Sequence, residues 1–332
     1  MRYITQCVEL LERGARELDE KLPINNRLSL IVTDNIIELM LHFRCKNIFQ
    51  EQYFHTISGN GRFTRAYQAR ILGPGFDDKL NFLRKEGEIE THEANLISIC
   101  HRYRNEAYHI GLNHEDIIYP LAWEYHSLAC ELFGRLRRNG RGVSSNEIIT
   151  PVLGKYIGTD HKHPMRILLE LNQASLAKAI SDSKKSLPTP LSETLSEERL
   201  RRITSLEDDL KFLLENNPRE FDSDQTLKDI QWSADLFGNI PINIEEHSKE
   251  YTKHIKNKLS EMKQTWIPKF KRFPFSSWRK RAVAIKNKNV FTALQTYENL
   301  KLDMDYLDKA LTECAAMLDE HIQNQIDEAM GK

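Results

Sequence analysis

Turn-forming residues are what this sequence has least of. Its 332 residues hold 14 glycines and 11 prolines, both well below the roughly 7% and 5% of ordinary proteins. An all-β sandwich or barrel needs a turn signal about every 8–12 residues, so that class is excluded. Cysteine is also sparse: Cys7, Cys45, Cys100, Cys130 and Cys314 lie far apart with no C-x-x-C pair. This excludes a zinc ribbon or a thioredoxin-like site, and the odd count fits a reducing compartment. No apolar run approaches 18 residues, and charge enters at Arg2 and Glu9 before a signal-peptide core could form. The expectation is a cytoplasmic protein with no membrane segment. Rossmann and P-loop glycine patterns are missing, as is any repeat of 20–50 residues, so no cofactor is expected. Asp160-His161-Lys162-His163 resembles a metal cluster only superficially. His161 and His163 stand at i, i+2, and Lys162 and Pro164 suit an exposed turn, so no metal is expected either.

What is present is helical periodicity, and the expected class is all-α. Ile4, Val8, Leu11 and Ala15 mark a first helix over about 22 residues, ended by Pro23. A second runs from about Leu28 to Phe49, and a brief polar stretch covers Leu80 to Gly87. Thr91 opens a helix that runs to His109, with Gly111 as its cap, and another follows from Glu115 to about Arg138. The run Arg138-Asn139-Gly140-Arg141-Gly142-Val143-Ser144-Ser145 reads as a domain boundary. It separates a helical bundle at 1–142 from a second helical domain at 146–332. Ser181–Glu197, with Pro188 and Pro190, reads as an exposed linker inside the second half. A long final helix is expected from about Val290 to Ala329, with Ala293, Tyr297, Leu300, Met304, Leu307, Leu311, Cys314, Leu318 and Ile322 close to a heptad seam.

The net charge of −1 hides a segregation. Residues 193–250 carry 15 acidic and 7 basic side chains, whereas residues 253–288 carry 12 basic side chains and the single acid Glu261. In the basic stretch Trp266 and Trp278 are interleaved with Lys269, Lys271, Arg272, Arg279, Lys280 and Arg281. Cations beside flat rings are the composition that single-stranded nucleic acid binding requires, which makes these residues RNA-binding candidates. The same composition also describes a solvated helix face beside core aromatics, its charge balanced by the flanking acidic segments.

One constellation carries chemistry: Arg104-Asn105-Glu106-Ala107-Tyr108-His109, the only Arg-x4-His in the sequence. Asn105 and His109 are one helical turn apart and share a face. The negative end of the helix dipole favours the His109 imidazolium. An imidazole that exchanges protons, a guanidinium that offsets charge on a pentacoordinate phosphate, and an orienting amide form a metal-free set for cutting RNA, whose 2′-hydroxyl is an internal nucleophile. Such a helix end is equally compatible with ordinary polar capping. A second polar line, Asp34, Glu38 and His42 at i, i+4 and i+8, runs through an apolar helix. It reads as carboxylates behind the cleft that orient Arg104 or His109, as a solvent face, or as a dimer seam. His101, two turns before His109, is a candidate for the RNA path.

Arg104-Asn105-x-x-x-His109 resembles the Arg-(Asn/Asp/His)-x3-His signature of HEPN domains, the higher-eukaryote and prokaryote nucleotide-binding superfamily. The helix spacing of residues 1–140 is similar to that layout, about two-fifths of the chain. The resemblance implies an α-helical bundle with the signature at the end of one long helix. It implies a metal-independent endoribonuclease of a toxin–antitoxin, abortive-infection or anti-phage system, leaving 2′,3′-cyclic phosphate and 5′-hydroxyl ends. It further implies Arg104, Asn105 and His109 as the catalytic set, a homodimer with a composite cleft, and an antitoxin or defence-complex partner; Tyr108, next to His109, is a candidate for supporting that set. Family toxins silenced by nucleotide transfer often carry a Tyr two residues after the His, where this chain has Gly111. The competing reading is a non-catalytic helical adaptor that binds nucleic acid or protein within a defence complex.

Overall fold

The computed structural model describes residues 2–56, 62–109, 115–136, 150–157, 177–178, 180, 189–216, 222–239 and 265–331, with the side chains at 2, 53–56, 107–109, 115, 157 and 237–239 excepted. Among the described residues every regular element is a helix, so the protein is all-α. Expectations at 111, 138–145, 160–163, 181–188 and 253–264 lie outside the described residues.

The chain divides into two compact units, Met1–Thr194 with Lys288–Leu294, and Leu195–Asn287 with Gln295–Lys332. The first contains α1 (Arg2–Glu20), α2 (Pro23–Thr56), α3 (Arg65–Ile71), α4 (Phe76–Lys85), α5 (Thr91–His109), α6 (Glu115–Arg135) and α7 (Pro151–Ile157). Lys21 takes the left-handed conformation, with φ 55°, just beyond the end of α1. Pro23 then begins α2 instead of merely stopping α1, because its fixed φ and missing N–H suit the first helical position. α2 therefore starts five residues before the expected Leu28. α4 replaces the expected brief polar stretch. Phe76, Leu80 and Leu83 recur on one buried face, and Asp77 and Asp78 occupy the first turn, where carboxylates favour helix formation.

α2 is the hub of this unit and packs most extensively against α1 and α6. Leu30, Ile36, Ile37, Met40, Leu41 and Cys45 are fully buried there, each large side chain contributing about 1.5–3 kcal/mol by leaving water. Where the three helices meet, Ser29 Oγ donates to the Gly14 carbonyl at 2.9 Å, and His126 Nε2 lies 2.8 Å from the Leu11 carbonyl. That carbonyl only accepts, so Nε2 carries the proton. Cys130 Sγ sits 3.7 Å from His126 Nδ1 on the other side of the ring. α7 joins the unit through Lys155 and Tyr156, which both contact the Glu12 carboxylate.

The second unit contains α8 (Leu191–Glu215), α9 (Ser223–Asn239), α10 (Phe275–Ile285) and α11 (Val290–Ala329), except that α8 before Leu195 and α11 before Gln295 belong to the other unit. α8 takes in the last residues of the stretch read as a linker, since Leu191 and Leu195 are fully buried. α11 has the expected bounds, and its seam is buried from Ala293 through Leu311 and half-buried at Cys314, Leu318 and Ile322, whereas Met317 and Ile326 beside it are exposed. α8 holds α11 through Arg202 on Asp308 and through Arg199, which donates to the Tyr297 hydroxyl at 2.6 Å.

Two predictions follow from these contacts. A Cβ at Gly14 would lie 2.9 Å from His126 Cδ2 and 3.4 Å from Thr33 Oγ1. The imidazole is pinned on both sides, so Gly14→Ala should lower unfolding free energy by about 1–3 kcal/mol, read as a shifted urea midpoint. For Glu12, burial raises the carboxyl pKa, but the hydrogen bonds from Lys155 and Tyr156 and the charges of Lys155 and Arg16 outweigh it, so the net shift is downward. A depressed folded-state pKa contributes stability above the ordinary carboxylate range and loses it as pH falls through the lower value. Relative to Glu12→Gln, the native chain should thus lose stability between pH 5 and pH 3, seen in acid-unfolding curves of the two proteins.

Candidate functional site

α5 is fixed at its start by its own sequence. Glu93 reaches back to the Glu90 N–H at 2.9 Å, a capping-box arrangement, and its carboxylate also takes Arg135 of α6 at 2.6 Å. Leu96, Ile97, Cys100 and Tyr103 bury one face of the helix. His101 and Arg104, three residues apart, then lie side by side on the turn that faces α2.

There they meet Asp34. Its side chain is wholly buried, and four donor atoms converge on its two oxygens. Arg104 donates from Nε to Oδ2 at 2.8 Å, and its Nη2 lies 2.8 Å from the same oxygen. His101 Nδ1 approaches Oδ2 at 3.0 Å and Oδ1 at 3.2 Å. The Tyr125 hydroxyl of α6 donates to Oδ1 at 2.8 Å. A buried carboxylate is costly unless it is paired and hydrogen-bonded, and this one is both. Burial, reinforced by the charge of Asp34, pushes the Tyr125 hydroxyl well above its ordinary pKa, so it remains a neutral donor.

Arg104 is held on a second side. Its Nη1 donates to Asn105 Oδ1 at 2.9 Å, and its Nη2 lies 3.8 Å from Glu38 Oε2. Its side chain keeps 18% exposure and that of His101 keeps 21%. The His101 ring is clamped flat against Phe76 of α4, centroids 3.8 Å apart and planes within 5°. The structure thus brings Asp34, His101, Arg104, Asn105 and Glu38 together. His42 is half-buried and stands edge-on to Phe43. Burial, then the charges of Lys79 and Lys46, lowers its pKa against the opposing pull of Glu38. The backbones of Tyr108 and His109 complete α5, and their side chains lie outside the described residues. Tyr125 and Phe76 were not singled out in the sequence. A hydroxyl-bearing residue within the apolar periodicity of α6 was the available signal for Tyr125.

The basic segment is placed differently from a row of open cations and rings. Trp278 is 3% exposed and packs edge-on to Phe270 and Phe275, so it offers no face to a base. Trp266 donates from Nε1 to Asp235 at 2.7 Å and stands edge-on to Trp232. Arg279 pairs with Glu207, and Arg281 pairs with Asp303 at 2.6 Å. Lys269 lies over the Phe270 and Tyr306 rings. Lys271, Arg272 and Lys280 are exposed. Two of these cations, Arg279 and Arg281, are thus matched by carboxylates of α8 and α11, the kind of pairing that the charge-balanced reading of the sequence expects. Among the described residues no His/Cys/Asp/Glu group is arranged to hold a metal ion, and no described helix is long and apolar enough to cross a membrane.

Comparison with family models, with curated proteins and with solved structures finds no match.

The Asp34 cluster yields a stability prediction. Asp34→Ala leaves Arg104 and Tyr125 without their acceptor in a buried place and should cost about 3–5 kcal/mol. Tyr125→Phe removes one donor of several and should cost about 1–3 kcal/mol. Denaturant melts of both variants read the order, and equal losses would contradict the hub role of the carboxylate.

Proposed function

We propose that the chain is a metal-independent endoribonuclease whose catalytic set is Arg104, Asn105 and His109. The observation that carries this reading is the way Arg104 is held. A guanidinium fixed by a buried carboxylate on one side and by the Asn105 amide on the other, yet still open to solvent, is ready to receive a phosphate in fixed geometry. It lies at the end of α5, five residues before the histidine that the signature requires.

In the proposed reaction the RNA 2′-oxygen attacks the adjacent phosphorus and the P–O5′ bond breaks. The 2′-hydroxyl proton passes to a base on the protein, and the 5′-oxygen leaves with a proton from His109. The products are a 2′,3′-cyclic phosphate and a 5′-hydroxyl. Arg104 offsets the charge that grows on the non-bridging oxygens, and Asn105 keeps Arg104 aimed. DNA has no 2′-hydroxyl and is left intact. Two copies, each turning the end of α5 toward the other, form one cleft, and the biological setting is growth arrest or anti-phage defence under an antitoxin or trigger. The exposed Lys271, Arg272 and Lys280 of the second unit are available to RNA phosphates.

Purified chain incubated with labelled RNA in EDTA should yield fragments ending in cyclic phosphate. His109→Ala should slow cleavage about 10²–10⁴-fold while mass and melting behaviour are retained. Cleavage unaffected by that change removes the mechanism, and tight RNA binding with no product favours a binding adaptor.

A further inference from the structure

The buried Asp34 carboxylate grips two groups of α5, and a phosphate needs only one of them, Arg104. His101 is held with equal care. A carboxylate has no proton to give in its ionised form, so the contact at 3.0 Å places the His101 proton on Nδ1. The imidazole lone pair is then on Nε2, at the opposite edge of the ring. Phe76, stacked flat against it with centroids 3.8 Å apart, favours this one plane for the ring. The His101 side chain is still 21% exposed. An imidazole with one nitrogen on a buried carboxylate, a favoured plane and the other nitrogen pointed away is the arrangement that makes histidine a directed base. A histidine that serves only to close a core ordinarily uses both nitrogens inside, as His126 does with the Leu11 carbonyl and Cys130.

We infer that His101 is a catalytic residue of the same site, its Nε2 taking the proton from the RNA 2′-hydroxyl. The inference rests on the ribonuclease reading above and names the base that reading leaves open. His101 and Arg104 bind one carboxylate, three residues apart on one face, so a linkage whose phosphate sits on Arg104 lies alongside the imidazole. The step balances without a metal or an oxidant. Nε2 accepts the 2′-hydroxyl proton, the O2′–P bond forms, the P–O5′ bond breaks, and His109 protonates O5′. Release of the proton from Nε2 to water, and uptake of one by His109, resets the site. Among the described residues, the charged and titratable groups that share this site with His101 are Asp34 on α2, Arg104 on its own helix with Glu38 beyond it, and Tyr125 on α6, while α4 contributes the uncharged Phe76 ring.

The decisive variant is His101→Asn, whose side-chain amide retains a donor for Asp34 and removes the Nε2 base. It should melt close to the native protein and cleave RNA about 100-fold or more slowly. A substrate with a 5′-bridging sulfur separates the two histidines, since a thiolate leaves without a proton. His109→Ala should regain most of its lost rate on that substrate and His101→Asn should not. Added imidazole should partly restore His101→Gly. Full activity in His101→Asn, with His109→Ala inactive, overturns the inference and leaves the ribonuclease reading standing. Rescue of His101→Asn by the sulfur substrate overturns its role as the base. Native chain that cuts no RNA overturns both.

Discussion

The first unit depends on one carboxylate that has no contact with water. Asp34 lies in the middle of α2, the helix around which α1, α4, α5 and α6 are arranged. Removing a carboxylate from water costs several kcal/mol, and only well-placed donors offset it. The donors come from α5 and α6, at sequence separations of 67, 70 and 91 residues. The polar cluster therefore forms only when all three helices are in register. Charge burial and fold specification are the same event here, and the partly exposed faces of His101 and Arg104 are its outward product.

Much of this organisation is legible in the sequence. The scarcity of glycine and proline excludes an all-β sandwich or barrel, the periodicity of α1, α5 and α11 marks those helices, and the end of α5 stands out through Arg104 and Asn105. The line Asp34, Glu38, His42 is also visible. Its inequality is not. Asp34 is fully buried, Glu38 is 40% exposed and His42 is half-buried beside Phe43. Helical spacing gives a shared face, but which member of that face goes inside is decided by distant partners that spacing does not name. α4 was missed for a related reason, since its charged residues mask a short face made of Phe76, Leu80 and Leu83.

The basic segment shows the same limit in electrostatic form. Composition reports 12 cations near five aromatic rings within residues 253–288. The fold sets Arg279 against Glu207 and Arg281 against Asp303, 72 and 22 residues away in sequence, and it buries Trp278. A run of like charge is a property of the chain, whereas a field at the surface belongs to the chain after pairing. The acidic stretches on either side of the segment supply the two partners, and their excess of acid was the sequence signal for this outcome.

The central claim is that an RNA linkage is received where His101 and Arg104 emerge from Asp34. The most direct test is a proton–nitrogen NMR titration of the Arg104 Nε–H and His101 Nδ1–H resonances with a 2′-deoxy dinucleotide, which binds but cannot be cut. Both resonances should shift together and saturate at one concentration, while those of the Trp266 and Trp278 indoles stay in place. Indole resonances that move while the two on Asp34 remain fixed would contradict the account.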